Sequence, residues 1–222
     1  MERHECKHEI SYSDLTILRT RLRAVLQPDR HGADGRYAVR SIYFDDPWDT
    51  ALREKLDGVD RREKFRIRYY DGDASLIHLE KKSKQSGLGT KRKAPLTAAQ
   101  VQAVLDGETE WMRDEDDPLV RELYVKMRTR GLRPCTIVDY TREAFTFAPG
   151  NVRVTLDYDL RTCLSCAGFL DPGCVTLPVW DAPIILEVKW DAFLPGVIRD
   201  AVQLSGRRTR SFSKYAACRM YG

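Results

Sequence analysis

The residues Lys64-Phe-Arg-Ile-Arg-Tyr-Tyr70 alternate strictly between charged and apolar side chains. Successive side chains of a strand point to opposite faces, so Lys64, Arg66 and Arg68 share one face and Phe65, Ile67 and Tyr69 the other. A charged strand face ordinarily meets water. Here, however, the design recurs along the chain. Glu5 and Lys7 alternate on a strand from Arg3 to Ile10, and His78, Glu80, Lys82 and Lys84 oppose Ile77 and Leu79. Lys91 and Lys93 share a face; Arg153, Thr155 and Asp157 oppose Val152, Val154 and Leu156; Glu187 and Lys189 oppose Leu186, Val188 and Trp190. Repetition of this kind predicts a sheet curled around a charged interior.

The elements between these strands follow from caps and periodicity. Ser13 or Asp14 is expected to cap a helix reaching about Val25, with Leu15, Leu18, Leu22 and Leu26 as its apolar stripe. Gln27 to Gly35 reads as a loop, Tyr37 to Asp45 as a strand stopped by Pro47, and Leu52 and Leu56 as a short helix closed at Gly58. Thr97 caps a helix carrying Val101, Val104 and Leu105; the acidic run from Glu108 to Asp117 reads as a loop; Pro118 to about Arg130 is a helix ended by Gly131. Strands from Thr136 to Thr146, Asn151 to Tyr158 and Ile184 to Trp190 follow, then two helices, one through Val197 and Val202 and one starting near Ser211. With no repeat or linker to divide it, the chain is expected to be one α+β domain over residues 1–222.

A net charge of +4 is too small to indicate nucleic-acid binding through bulk electrostatics. The absence of a signal-like or membrane-spanning apolar run leads to the expectation of a cytoplasmic protein with reduced cysteines and no membrane segment. Cys163-Leu-Ser-Cys166 with Cys174 has one zinc-like spacing but no second pair. The four histidines read as structural or surface residues, and neither a Ser-His-Asp order nor a glycine-rich phosphate loop is present.

On the charged faces, Lys7, Arg66, Arg68, Lys82, Lys91 or Lys93, Arg142, Arg153, Lys189 and Lys214 outnumber Glu5, Glu80, Asp157 and Glu187. An unpaired buried charge costs several kcal/mol, so the excess calls for an anion. Arginine's planar fork suits phosphate, and lysine adds compact charge. Arg66 and Arg68 would stand about 6.6 Å apart along one strand, a spacing that could serve neighbouring phosphates. Carboxylates among the cations, Glu187 above all, could hold Mg2+ or Mn2+ together with phosphate oxygens. This is what phosphoryl transfer requires, since that reaction rests mostly on positioning and electrostatic stabilisation. Other readings stand beside this one: Arg66 and Arg68 on a solvated face, Glu187 as a structural ion pair with Lys189 or Arg153, and Lys214 as surface charge. Arg66→Ala is expected to abolish turnover with little loss of stability.

The motifs Arg3-His-Glu-Cys-Lys7, Ser41-Ile-Tyr-Phe-Asp45, Arg66-Ile-Arg68, Leu79-Glu-Lys-Lys82, Tyr140-Thr-Arg-Glu-Ala-Phe145, Arg153-Val-Thr-Leu-Asp157, Leu186-Glu-Val-Lys189 and Ser211-Phe-Ser-Lys-Tyr215 occur in this order. In them the chain resembles the catalytic domain of the vacuolar transporter chaperone complex, a polyphosphate polymerase of the triphosphate tunnel metalloenzymes. The resemblance implies a closed antiparallel β-barrel of about eight strands forming a tunnel, flanked by helices. It also implies that Lys7, Arg66, Arg68, Lys82, Arg142, Arg153 and Lys214 act on ATP and polyphosphate. Glu5, Lys91, Lys93, Tyr140, Lys189 and Ser213 would assist binding, and Glu187 would ligate Mn2+ or Mg2+. Hydrolase and cyclase relatives carry Glu-x-Glu-x-Lys where this chain has Arg3-x-Glu5-x-Lys7, which favours the polymerase branch. Tri- or polyphosphate hydrolysis and non-catalytic binding of polyphosphate or nucleotide are the alternatives.

Overall fold

The fold is that of a computed structural model, which describes residues 4–32, 34–207, 209 and 211–221. Arg3, expected on the first strand, lies outside the described residues. The elements in chain order are β1 (His4–Ile10), α1 (Tyr12–Val25), β2 (Gln27–Pro28), β3 (Arg36–Asp45), α2 (Thr50–Leu56), β4 (Arg62–Tyr70), β5 (Asp73–Gln85), β6 (Leu88–Leu96), α3 (Ala98–Leu105), α4 (Pro118–Arg130), β7 (Arg133–Phe147), β8 (Val152–Cys163), β9 (Leu177–Pro178), β10 (Ile184–Trp190), α5 (Gly196–Val202) and α6 (Lys214–Tyr221). The fold class is α+β. The hydrogen-bonded strand order is β1-β10-β8-β7-β3-β4-β5-β6, with β2 added to β7 and β9 to β8. This order is a path with two ends, β1 and β6, where the resemblance implies a closed ring. No described helix is long and apolar enough to cross a membrane.

By its internal contacts the chain forms two compact units. The first comprises the described residues of 1–38, 140–160 and 180–212. Its core joins the apolar faces of β1, β8 and β10, through Ile10, Val154, Leu156, Leu186 and Val188, to Leu15, Leu18 and Leu22 of α1 and Ile198 of α5. Each buried leucine contributes about 2 kcal/mol of apolar transfer energy, so the stripe of α1 is what fixes the helix here. Ser11, not Ser13 or Asp14, is the cap. Its hydroxyl accepts from the Asp14 amide at 3.2 Å, and the Asp14 carboxylate accepts from the Ser11 amide at 2.9 Å. This reciprocal pair satisfies two amide donors that the helix itself leaves unpaired.

The second unit comprises residues 39–139, 161–179 and the described part of 213–222. The alternation in β4 and β5 places Phe65, Ile67, Tyr69, Ile77 and Leu79 on one face, covered by Val101 and Val104 of α3 and Leu119, Val120 and Leu123 of α4. Asp117 caps α4 by accepting from the Leu119 amide at 2.7 Å, Pro118 fills the first turn where its missing N–H costs nothing, and Gly131 ends the helix at φ 67°. The acidic run before α4 is more than a loop. Residues 110–114 make a 3-10 turn that sinks Met112 completely into this core. Net hydrophilicity hid one buried anchor.

Candidate functional site

The register of the second unit turns the alternating charges into rows. Tyr43 of β3, Arg66, Glu80 and Lys93 are successive partners across β3, β4, β5 and β6. Ser41, Arg68 and His78 form a second row, and Lys64, Lys82 and Lys91 a third. Directly paired residues share a face, so these side chains stand together opposite the core. Lys64, Arg66, Arg68, Lys82, Lys91 and Lys93 thus surround a single carboxylate, Glu80, in the described rows.

Arg66 and Arg68 are buried, and their polar atoms are directed. Arg66 Nε donates to Glu80 Oε2 at 2.7 Å and its Nη1 to the Tyr43 hydroxyl at 2.9 Å; Arg68 Nε donates to Ser41 Oγ at 2.7 Å. Lys91 forms the second ion pair to Glu80. Burial alone would raise the Glu80 pKa, but Arg66, Arg68 and Lys91 hold it down at about 2. His78 is held below its ordinary value by burial and by Lys93. A face that suppresses a histidine's proton and ionises its one carboxylate is electropositive.

The first unit carries a second charged face. Glu5, Lys189 and Arg153 are successive partners across β1, β10 and β8, and Lys7, Glu187 and Thr155 form the adjacent row. Glu187 is buried, with Lys7 Nζ 3.2 Å from Oε1 and Lys189 Nζ 3.0 Å from Oε2. Lys7 also pairs with Glu5, and Lys189 lies 3.4 Å from Glu5. Burial opposes ionisation of Glu187, but Lys189, Lys7 and Arg142 outweigh it and push its pKa far below the carboxylate range. Reciprocally, Glu187 and Glu5 overcome the burial of Lys7 and raise its pKa. Of the two structural ion pairs that stood as the alternative for Glu187, the one with Lys189 is present; Arg153 instead pairs with Asp29 at 2.6 Å and donates to the Tyr37 hydroxyl at 3.0 Å.

Arg142 makes two parallel bonds to Asp157, at 2.6 and 2.7 Å, and its guanidinium lies 5.4 Å from the centre of the buried Tyr140 ring. Lys214 is the first residue of α6. Ser213 is occupied by helix capping: its Oγ accepts from the Ala216 amide at 3.3 Å. Tyr43, Ser41 and Asp29 were missed as site residues. The alternation Ser41, Tyr43, Asp45 against Ile42 and Phe44 carried the signal for the first two, whereas Asp29 sits in a turn without periodicity.

Glu187 has features that fit a divalent ion and one that limits it. The Thr155 hydroxyl, its partner across β8, is buried without a hydrogen-bond partner among the described residues, and offers a further oxygen. Yet no group of three or more His, Cys, Asp or Glu among the described residues could hold a metal. The donor set therefore fits an ion that arrives with phosphate oxygens as ligands, the habit of Mg2+. Cys163, Cys166 and Cys174 pack against the core of the second unit as free thiols. Burial raises the Cys166 thiol to about 12 and raises that of Cys174, and these cysteines form no metal-holding group among the described residues.

The model of one protein family, described as the VTC domain, matches residues 2–221. No curated protein matches the chain in sequence. Among solved structures, a candidate adenylate cyclase from Bacillus halodurans is 12% identical, with 85% of this chain and 82% of that chain covered and a TM-score of 0.50. The PH1819 protein of Pyrococcus horikoshii OT3 is 15% identical over 90% of this chain and 84% of that one, with a TM-score of 0.45. At such identities the first likeness is one of fold.

Proposed function

Because the chain belongs to the VTC-domain family, we propose that it is a polyphosphate polymerase, which moves the γ-phosphoryl group of ATP onto a growing polyphosphate chain and releases ADP. The observation that carries the reading is the set of cation rows on β4, β5 and β6, where Glu80 is the one carboxylate. In this reading Arg66 and Arg68 grip phosphate oxygens through their forks, while Lys82, Lys91 and Lys93 supply charge to a chain of changing register. Lys7, Arg142, Arg153, Lys189 and Lys214 are likewise assigned to phosphate. Tyr140 holds the Arg142 plane, and Ser213 sets the start of α6 beside Lys214. Glu5 assists binding, and Glu187 would hold Mn2+ or Mg2+, which when bound neutralises charge on the transferred phosphoryl group. The tunnel-forming closed barrel belongs to this proposal and rests on the family resemblance; the organisation as one domain over 1–222 and the cytoplasmic location belong to it as expectations from the sequence.

A second reading has an observation of its own. Both oxygens of Glu187 are engaged by lysines, the arrangement of a structural ion pair, which suits a module that binds polyphosphate or nucleotide without turnover. Incubation with ATP and Mn2+, followed by phosphorus NMR and gel analysis, separates the cases. ADP together with a long phosphate polymer is the expected result. Intact ATP alongside tight polyphosphate binding would leave the binding module, and free phosphate as the sole product would identify a hydrolase.

A further inference from the structure

Tyr43 sits where the cations of β4 are densest. It is buried, with its ring centre 5.7 Å from Lys64 Nζ and 5.8 Å from the Arg66 guanidinium carbon, and its hydroxyl oxygen accepts from Arg66 Nη1 at 2.9 Å. Among the described residues, the groups around it leave the phenol no carboxylate of its own. Tyr215 of α6 stacks on it at 5.0 Å but donates its own hydroxyl to Asp45 at 2.5 Å. Cys135 of β7 donates to the Tyr43 backbone carbonyl at 3.1 Å, and Glu80 of β5 is engaged by Arg66 and Lys91. Among the described residues Arg66 is the one hydrogen-bond partner of the Tyr43 oxygen. A donor faces that oxygen and no acceptor does, so it is placed to carry charge rather than to give a proton.

We propose that Tyr43 is a proton-exchanging counter-ion of the Lys64, Arg66 and Arg68 cluster, ionised while it balances those cations and protonated from solvent when phosphate oxygens take them over. This rests on the polyphosphate reading for the identity of the anion, a linear oligophosphate. One proton enters from water for each cluster loaded, and no other reactant is needed. Burial would raise the phenol pKa, yet Arg66, Lys64 and Arg68 bring it from 10.0 to about 7. The sign follows from linkage. Above the pKa of the ligand-free cluster, loading requires proton uptake, so the dissociation constant rises with pH by up to about tenfold per unit.

The test is the phenolate absorption of the whole chain, titrated between about pH 6 and 9 and compared with Tyr43→Phe, which keeps the ring. A band with its midpoint near neutrality that is lost in the variant, moves to higher pH in Lys64→Gln and fades on addition of tripolyphosphate is expected. Calorimetry in two buffers of different ionisation enthalpy should show proton uptake near pH 8 that Tyr43→Phe removes; the difference between the two proteins cancels the protons of tripolyphosphate itself and of His78. Absence of the band throughout the range would overturn the ionised phenol. A band that persists unchanged while tripolyphosphate binds would overturn the exchange. A band present with no tripolyphosphate binding at all would sink the polyphosphate reading and the loading step with it, while the ionised phenol would stand.

Discussion

Arg66 shows how a binding side chain becomes part of the fold. Its guanidinium joins Glu80 to the Tyr43 hydroxyl inside a face where both partners are buried. The expectation that Arg66→Ala spares stability therefore changes: truncation leaves Glu80 with Lys91 alone, and losing one partner of a buried pair costs about 3 kcal/mol. Urea unfolding should reveal this loss, and Arg66→Lys should recover part of it without restoring the fork. Unchanged stability in Arg66→Ala would mean that Lys91 alone satisfies Glu80. Glu187→Gln removes the charge between Lys7 and Lys189. If Glu187 ligates the metal, half-saturation by Mn2+ in the ATP assay rises by tenfold or more, whereas an unaltered metal dependence excludes it as a ligand.

Elements were legible to the extent that one periodicity decided them. β10 matches its expected span, Ile184 to Trp190, because a buried apolar face alternates with Glu187 and Lys189 over its full length. α4 matches from Pro118 to Arg130, because Asp117, Pro118 and Gly131 mark its ends chemically. β8 runs on to Cys163, beyond the expected Tyr158, and its end pairs with β9 through Arg161 and Thr162. A two-residue strand has no period to read, so neither β9 nor β2 could be foreseen. α1 offers a measurable case: Ser11→Ala should cost about 1 kcal/mol and lower the melting temperature by about 2–4 °C. Ser13→Ala should do neither, since Ser13 makes no bond to a helix amide among those described.

At the scale of the whole molecule, acid should weaken the fold in a specific window. A carboxylate whose pKa is lower folded than unfolded contributes stability above its unfolded value, and that contribution fades as pH falls through the folded one. For Glu80 the window runs from 4.5 down to about 2. The shift corresponds to a contribution on the order of 3 kcal/mol. Glu187 and Asp29 shift in the same direction and add to the loss. Chemical denaturation at about pH 7, 4 and 2.5, values above, within and below the ordinary carboxylate range, should show stability falling progressively. In Glu80→Gln the portion lost below pH 4.5 should shrink.

The sequence by itself determined the strands and their two faces, because alternation at a period of two depends on nothing beyond the strand's own geometry. It also supplied the chemistry of the Lys64 to Tyr70 stretch, two arginines fit for phosphate, and through its motifs the family. Partnership lay beyond it. Arg66 meets Glu80, Arg153 meets Asp29 and Lys7 meets Glu187 through pairing registers and turns that join residues far apart in the chain. Tyr43 alternates with Ile42 and Phe44 in the sequence, but only the pairing of β3 with β4 sets its oxygen among cations. A charge pattern states which residues need a counter-charge; only the register of the folded strands decides which group provides it.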